Sequence, residues 1–321
     1  MNRRSTKDVP GLVAKARAGD ARSVARLISL VEDASPVLRE VMAGLAPYAG
    51  NAHIIGITGS PGVGKSTSTS ALVGALRAQG KRVGVLAVDP SSPFSGGALL
   101  GDRIRMQDHA LDPDVYIRSM ASRGHLGGLS WAAPQALRVL DAAGCDVVLV
   151  ETVGVGQSEV EIASMADTTL VLLAPGMGDG IQAAKAGILE IGDLYVINKA
   201  DRDGADTVRR ELRGMLGLAQ RPAGAWEPEI IKTVAQTGEG IGEVVTAIEK
   251  HLAHLTSSGE LAARRTRRAR EEIEAIAVTR LRERWGNVGA HTDLDALAEQ
   301  VVAGTSDPYA AADALLATYA D

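Results

Sequence analysis

GITGSPGVGKSTSTS, residues 56–70, is the most specific local signal in this chain of 321 residues. Within it, Gly59 to Ser66 match the spacing G-x-x-x-x-G-K-[ST] in full, after the apolar run HIIGIT (53–58) and before a helical pattern. A strand on one side and a helix on the other are the context that this phosphate-binding motif requires. The competing interpretation is a glycine-rich turn without a ligand. Because both flanks are correct, the stretch predicts a phosphate-binding loop.

The residue types of this loop suit a bound nucleotide. Glycines let backbone N–H groups turn inward around phosphates, and the N-terminus of the following helix adds partial positive charge. Lys65 is predicted to bridge the outer phosphates, and the Ser66 hydroxyl to ligate Mg²⁺. The predicted nucleotide contacts in this loop are Gly59, Ser60, Pro61, Gly62, Val63, Gly64, Lys65, Ser66 and Thr67.

Short apolar runs alternate with helical patterns from residue 53 onward. They are HIIGIT (53–58), RVGVLAV (82–88), VYIRS (115–119), DVVLVET (146–152), TTLVLLA (168–174), LYVIN (194–198) and EIIKTVA (229–235). Near-continuous apolar strands are typical of a parallel sheet that helices cover on both faces. We therefore expect a doubly wound, mostly parallel α/β sheet that binds its ligand along one edge.

Helical patterns flank this sheet region on both sides. Asp20 is predicted to cap the helix of ARSVARLISLVEDA (21–34), whose apolar residues fall on one face, and Ser35 to begin the next helix. The strand signal stops after about residue 240. The expected segments are an N-terminal helical extension (1–50), a P-loop domain (51–255) and a C-terminal helical arm (256–321).

The arm begins with the arginine-rich pattern ELAARRTRRAREEIEAIAVTRLRERW (260–285). A narrow apolar seam runs through its charged residues: Leu261, Ile273, Ile276, Ala277 and Leu281. A narrow seam is typical of a helix that packs on another helix, including one from a second copy of the chain.

Composition excludes several classes of protein. A net charge of −5 and a pI near 5.8 give no general reason to expect nucleic acid as a partner. The single cysteine, Cys145, fits a reducing compartment, so we expect the cytoplasm. No run approaches the roughly 18 apolar residues of a membrane span, and no apolar core of a secretory signal follows the basic N-terminus.

Three carboxylates lie where a metal bound to the phosphates would need them. Asp89 ends the second apolar run, Asp102 follows it, and Glu151 ends the run DVVLVET. Carboxylates at the ends of strands beside the phosphate strand can reach Mg²⁺ directly or through its waters. Each one alone could equally be a surface carboxylate. Together with Ser66, the three are the predicted metal ligands.

The residues after the strand of Glu151 resemble a switch. Glu151-Thr152-Val153-Gly154 has the form of the D-x-x-G motif of G proteins, with Glu in place of Asp. Gly154 is predicted to contact the terminal phosphate through its backbone N–H and to lose that contact on hydrolysis. Gln157 and Glu159 are candidates for positioning the attacking water. A simple glycine turn is the alternative.

Asn198-Lys199-Ala200-Asp201 indicates which base is bound. It follows a strand and matches N-K-x-D, in which the aspartate accepts hydrogen bonds from N1–H and N2–H₂ of guanine. Adenine lacks that pair of donors and would leave the carboxylate unsatisfied. A charged surface turn is the alternative for this motif in isolation. TVAQTGEG (233–240) lies where G proteins contact guanine O6, and its predicted contacts are Val234, Ala235 and Gln236.

Other polar groups are weaker candidates. His251 and His254 could clamp a metal, but no Cys or acidic third ligand is near them in sequence, so both are expected on a helix surface. The run RRTRRAR (264–270) is expected to be a solvated helix face because acidic residues follow it. Arg123, in the glycine-rich SRGHLGGLS (122–130), could reach a phosphate.

In their order along the chain, these motifs resemble the MeaB/ArgK family of P-loop GTPases. The signatures include AVDPSSPFSGGALLGDRIRM (87–106), ETVGVGQSE (151–159) and PGMGDGIQAAKAGILEIGDLYVINKAD (175–201), and the match runs from about residue 8 to the C-terminus. The glutamate at position 151 also fits that family.

The resemblance implies a homodimeric GTPase chaperone, slow alone and stimulated by its partner. That partner is an adenosylcobalamin-dependent acyl-CoA mutase, typically methylmalonyl-CoA mutase, whose cofactor loading the GTPase gates and which it protects. Lys65 and Glu151 are then the catalytic residues, and GMGDGIQAAKAG (176–187), with Asp179 and Lys185, is an additional switch. The sequence has no D-x-H-x-x-G run, so cobalamin is expected only in the partner.

Two other functions stay open at this stage. A kinase is one, since some relatives carry a transport-kinase label, although the sequence shows no recognisable acceptor-binding domain. A nickel-insertion GTPase is the other, although six scattered histidines and one cysteine do not form a metal-collecting cluster in sequence.

Overall fold

The structure is a computed structural model that describes most of the chain. The described residues are 8–90, 106–109, 111–122, 132–152, 158–176, 190–218, 222, 224–285 and 292–317. By its internal contacts the chain divides into two compact units, Met1–Arg264 and Arg265–Asp321. The predicted boundaries after residues 50 and 255 stay predictions.

A parallel sheet of seven strands forms the centre of the first unit. Its strands are β1 His53–Thr58, β2 Val83–Pro90, β3 Val115–Ser122, β4 Val147–Thr152, β5 Thr168–Leu173, β6 Leu194–Ile197 and β7 Glu229–Lys232. Their order across the sheet is β3-β2-β4-β1-β5-β6-β7, and every described pairing is parallel. The chain thus winds outward in both directions from β1, which confirms the predicted doubly wound fold.

Helices account for most of the remaining described residues. They are α1 Val9–Arg17, α2 Ala21–Glu32, α3 Leu38–Leu45, α4 Lys65–Ala78, α5 Ala132–Ala142, α6 Ser158–Met165, α7 Ala205–Leu218, α8 Ile241–Ser258, α9 Glu260–Trp285, α10 Thr292–Val302 and α11 Pro308–Ala317. In the second unit α10 contacts α11, on which Ala311 and Leu315 are buried. None of the helices in the described ranges is both long and apolar enough to cross a membrane.

The two faces of the sheet explain why its strands read as continuous apolar runs. Along β4, Val148 and Val150 join a core with α1, α2, α3 and α5, while Val147 and Leu149 join a second core with α4 and α8. Successive side chains of a strand point to opposite faces, so a strand covered on both sides needs apolar residues at every position.

The N-terminal helices belong to the first of these cores. The apolar face predicted for α2 is buried, and Asp20 caps α2 by accepting from the Ser23 backbone N–H at 3.0 Å. The predicted helix start at Ser35 is wrong. Helix α3 begins at Leu38, and Ser35 contributes its backbone oxygen, which accepts from the Leu38 N–H at 2.8 Å, rather than a side-chain cap.

Aspartates that directly precede strands tie neighbouring strands together. The Oδ2 atoms of Asp146, Asp167 and Asp193 accept from the backbone N–H groups of Arg82 at 2.8 Å, Ile54 at 3.0 Å and Thr169 at 2.8 Å, respectively. Each aspartate therefore fixes the register of its strand against the neighbour at the amino edge of the sheet.

Asp193 is also the centre of a buried polar cluster at that edge. Arg264, at the start of α9, donates from Nη1 and Nη2 to the two carboxylate oxygens, both at 3.0 Å. The Trp226 indole N–H donates to the Asp193 backbone oxygen at 2.8 Å. Arg264 is therefore an exception to the prediction that RRTRRAR is a solvated face.

The prediction that His251 lies on a helix surface is wrong as well. His251 is fully buried, and its Nδ1 lies 2.8 Å from the Thr168 hydroxyl, which lies 2.8 Å from His53 Nε2. Its ring also packs at a tilt on Trp226, with centroids 4.8 Å apart. Helix α8 contacts the buried start of β5 here, and the position of His251 one turn after the buried Ile248 was the available signal.

Asp167 and Asp146 each accept from a backbone N–H at the start of the neighbouring strand, but only Asp167 is buried. Removal of the two side chains should therefore lower the free energy of unfolding by different amounts. Asp167 is fully buried and Asp146 is exposed. We expect Asp167→Ala to lower the free energy of unfolding by about 2–3 kcal/mol, because the Ile54 N–H loses its partner inside the sheet. Asp146→Ala is the matched control and should cost about 1 kcal/mol or less, since water can replace it. Urea denaturation measures both, and equal losses would contradict the argument.

The Arg264 pair should make stability depend on pH. Burial raises the pKa of Asp193, but His251 and Arg264 outweigh it, and the pKa lies below the ordinary value of 3.8. A lowered carboxyl pKa stabilises the fold above pH 3.8, and that contribution is lost as the pH falls through the folded-state pKa.

We expect Arg264→Met to cost about 3 kcal/mol at pH 7, because it leaves a buried carboxylate without its partner. The difference from the unchanged protein should shrink below pH 3.8. Arg267→Met, at an exposed position of the same run, is the control and should have little effect at either pH. Denaturation at both pH values tests this, and a difference that grows in acid would contradict it.

Candidate functional site

The predicted phosphate loop connects β1 to α4 at the carboxyl edge of the sheet. Strand β1 ends at Thr58, and helix α4 begins at Lys65. The ends of β4 and β6 lie at the same edge, because all these strands are parallel. The structure therefore brings Glu151, Asn198 and the phosphate loop to one side of the sheet.

Two glycines of the loop have no room for a side chain. A Cβ at Gly59, where φ is 140°, would lie 2.3 Å from the backbone oxygen of Leu172. At Gly64, where φ is 97°, it would lie 2.5 Å from Asn198 Nδ2. The motif glycines are thus required by close approach of β5 and of the Asn198 side chain, in addition to their positive φ.

The lysine and the hydroxyl of the motif are both buried, whereas the tip of the loop is exposed. Lys65 is buried, and its Nζ donates to the backbone oxygen of Gly59 at 2.5 Å. Val63 and Ser66 are also buried, whereas Thr67 is exposed at the surface of α4. Pro61 and Gly62 form the exposed tip of the loop, and Ser60 is half-buried.

Glu151 is fully buried at the end of β4, opposite Ile57 of β1. Its Oε1 accepts from the Ser66 hydroxyl at 2.6 Å, and its Oε2 accepts from the Thr69 hydroxyl at 2.5 Å. Sequence reasoning paired Glu151 with Ser66 as metal ligands but missed Thr69. Its position one helical turn after Ser66, on the same face of α4, was the available signal.

The oxygen atoms of this corner fit a magnesium ion. Mg²⁺ prefers carboxylate and hydroxyl oxygens, keeps several waters and binds few protein groups. Ser66 and Glu151 supply both types, and β2 places the backbone of Asp89 at the end of the strand beside β4. The Asp89 side chain and Asp102 lie outside the described residues. Among the residues described, no cluster of three or more His, Cys, Asp or Glu could hold a metal.

Asn198 joins the phosphate loop to the two loops predicted to bind the base. Its side-chain Nδ2 donates to the Val63 backbone oxygen at 2.9 Å, and its Oδ1 accepts from the Ala235 backbone N–H at 3.0 Å. Lys199, at a φ of 57°, donates from Nζ to the Gly62 backbone oxygen at 2.7 Å. Three sequence motifs therefore form one connected structure around Asn198.

The rest of the predicted base site lies at the surface beside Asn198. Asp201 is exposed in the turn after β6, where the neighbouring Ala200 N–H donates to the backbone oxygen of Thr233 at 3.0 Å. In the loop after β7, Val234 is half-buried, Ala235 is buried and Gln236 is exposed. Their closeness in the fold to the phosphate loop agrees with a shared ligand.

Several predicted residues cannot be placed. Gly154, Gln157, Asp179, Lys185 and Arg123 lie outside the described residues. Glu159 belongs to α6, but its side chain is not described. Their roles stay predictions.

Comparison with known proteins agrees with this arrangement. Residues 24–289 match the family described as "Methylmalonyl Co-A mutase-associated GTPase MeaB". A Pyrococcus horikoshii protein named "Putative GTPase" is 47% identical over 95% of this chain and 96% of its own length. The Escherichia coli GTPase ArgK is 41% identical over 78% of this chain and 77% of its own length.

A solved structure of an LAO/AO transport system kinase has the same fold over nearly the whole chain. It superposes with a TM-score of 0.76 at 29% identity, and the alignment covers 98% of both chains. This likeness extends through the N-terminal and C-terminal helices as well as the sheet. The resemblance indicated by the motifs is confirmed, and the chain belongs to the MeaB family of GTPases.

Proposed function

We propose that this chain hydrolyses GTP at the carboxyl edge of its sheet and uses the nucleotide state to control an adenosylcobalamin-dependent acyl-CoA mutase. The observation that carries the nucleotide part is the connection of Asn198 to both Val63 and Ala235, which joins a phosphate loop to a guanine-type loop. The family description, which names methylmalonyl-CoA mutase, supports the choice of partner.

The phosphate end of the proposed site rests on α4 and β4. Lys65 would exchange its bond with the Gly59 oxygen for the outer phosphates, and Ser66 would hold Mg²⁺ together with Asp89, Asp102 and Glu151. A metal ion held by these residues would supply positive charge that neutralises the charge developing during transfer to water. Lys65 and Glu151 are therefore the proposed catalytic residues of this chain.

The base end of the proposed site depends on Asp201. Its exposed carboxylate would accept from N1–H and N2–H₂ of guanine, while Lys199 would lie along the base plane. Val234, Ala235 and Gln236 would lie beside guanine O6. Asn198 holds these groups at a fixed distance from the phosphate loop, so base and phosphates can bind together.

The proposed output is a change of shape rather than chemistry on a second substrate. Gly154 and Gln157 after β4, with Asp179 and Lys185 after β5, would respond to the γ-phosphate and present different surfaces with GTP and GDP. The mutase would read that difference, so that cofactor loading is gated and the mutase protected. Cobalamin would remain with the partner. Hydrolysis would be slow alone and faster in the complex.

A homodimer fits the surface of α9. The predicted seam residues Ile273 and Leu281 are 68% and 47% exposed in the single chain. Large apolar side chains in a row on an exposed helix are typical of a surface that another helix covers. We propose a second copy of the chain as that partner.

The cytoplasm is the proposed compartment. The buried Cys145, whose pKa burial raises to about 12, would stay a thiol there.

The base assignment predicts a change of specificity. An asparagine at position 201 offers one acceptor and one donor, which suits the N1–H and the C2 oxygen of xanthine. We expect Asp201→Asn to weaken GDP binding by about 100-fold or more and to strengthen binding of xanthosine diphosphate. Asp203→Asn, at an exposed position of the same turn, is the control. Competition with a fluorescent guanine nucleotide measures both, and unchanged GDP affinity in Asp201→Asn would show that another group reads the base.

The control of a mutase is tested by reconstitution with purified methylmalonyl-CoA mutase. We expect stoichiometric mutase to raise the rate of GTP hydrolysis and the stability of the complex to differ between GDP and a non-hydrolysable GTP analogue. Phosphate release and size-exclusion chromatography are the measurements. The proposal would be overturned if the mutase left the hydrolysis rate unchanged and the stability of the complex were the same with GDP and with the GTP analogue.

The kinase interpretation has a separate signature in the same experiment. The solved relative is called a transport system kinase, so transfer of the γ-phosphate to protein needs its own measurement. With GTP labelled at the γ-phosphate, we expect the label in free phosphate. Label retained on a protein would favour a kinase instead.

A further inference from the structure

Thr69 lies in the buried corner between α4 and β4, outside the nucleotide motifs. Thr69 is fully buried, and its hydroxyl lies 2.5 Å from Glu151 Oε2. The same hydroxyl lies 3.0 Å from the backbone oxygen of Lys65. We propose that Thr69 is a positioning residue that orients Glu151 for the metal, an inference that rests on the proposed GTPase function.

The Thr69 hydroxyl has one proton and two acceptors within reach. A serine or threonine inside a helix commonly bonds the backbone oxygen four residues earlier, which here belongs to Lys65. A bond from a hydroxyl to a carboxylate is stronger and typically about 2.5–2.7 Å long. The contact with Glu151 has that length, so the Thr69 hydroxyl donates to Glu151 rather than to the Lys65 oxygen.

The glutamate at position 151 explains why a second hydroxyl is needed. Ordinary G proteins have aspartate at this place in D-x-x-G, and glutamate adds one rotatable bond between backbone and carboxylate. A second bond, at Oε2, restricts rotation of the carboxylate about its contact at Oε1. Bonds from Ser66 at Oε1 and Thr69 at Oε2 fix both oxygens against one face of α4.

Fixing Oε2 has a consequence for the metal. Because the Ser66 hydroxyl donates its hydrogen bond to Glu151 Oε1, the lone pairs of the Ser66 oxygen stay available to a cation. Groups that orient metal ligands in this way typically change metal affinity by about 10–100-fold when they are removed. Thr69 would therefore affect Mg²⁺ affinity without touching the ion or the nucleotide.

The helix offers a matched control next to Thr69. Ser68 is buried to a similar degree, but its Oγ has no hydrogen-bond partner in the described part of the chain. Ser68→Ala removes a buried hydroxyl from the same turn of α4 without changing Glu151. Thr69→Val removes the bond to Glu151 at nearly constant volume, and Thr69→Ser keeps it.

The test is a Mg²⁺ titration of GDP binding, followed by the fluorescence of a labelled GDP. We expect Thr69→Val to raise the half-saturating Mg²⁺ concentration by about 10-fold, while Thr69→Ser and Ser68→Ala stay close to the unchanged protein. Thr69→Cys, whose thiol is a weak donor, should give an intermediate value and serves where the valine variant does not fold. Thermal unfolding without nucleotide is measured alongside.

The outcomes separate the two proposals. If the unchanged protein shows no Mg²⁺-dependent GDP binding, the proposed function is wrong. If it binds, but Thr69→Val and Thr69→Cys lower only the unfolding temperature and leave the Mg²⁺ requirement unchanged, Thr69 has a purely structural role and the inference is overturned. A raised requirement in Thr69→Val that Thr69→Ser restores supports the inference.

Discussion

The parallel pairing of β1 with β4 is the constraint on which the rest of the site depends. It sets Glu151 opposite Ile57, directly beside the strand that leads into the phosphate loop. A shift of one residue would turn the Glu151 side chain to the other face of the sheet, away from α4. At the opposite edge the start of β1 is joined to the start of β4, because the His53 backbone N–H donates to the Asp146 backbone oxygen at 2.9 Å. The functional corner is thus positioned by bonds at the far end of the same strand.

The two edges of the sheet differ in what their polar residues do. At the amino edge, Asp167 and Asp193 are buried with fixed partners, and Arg264 joins the start of α9 to that edge. At the carboxyl edge, Lys65 bonds a loop backbone oxygen that a phosphate can replace, and Asp201 is exposed. The polar side chains of the amino edge thus have buried protein partners, whereas those of the carboxyl edge can bind a ligand.

What the sequence predicted well was local in origin. The phosphate loop, the cap at Asp20 and the alternation of strands with helices follow from spacing and from the preferences of single residues. The errors came from contacts between distant segments. His251 is buried because α8 packs on the start of β5, where its ring contacts Thr168. Arg264 is not part of a solvated face because its guanidinium binds the Asp193 carboxylate. His251 lies at helical spacing from the buried Ile248 and Leu255, so periodicity could have predicted its burial, whereas no periodicity in α9 marks Arg264.

The first turns of α4 show how a motif can end before its site does. The consensus stops at Ser66, yet the run KSTSTS (65–70) continues with hydroxyl side chains that differ in burial and in hydrogen-bond partners. Thr67 is exposed, whereas Ser66 and Thr69, three positions apart on one helical face, both bond Glu151. The Ser66 and Thr69 hydroxyls and the Glu151 carboxylate form one hydrogen-bonded unit between α4 and β4, which therefore extends one helical turn beyond the consensus.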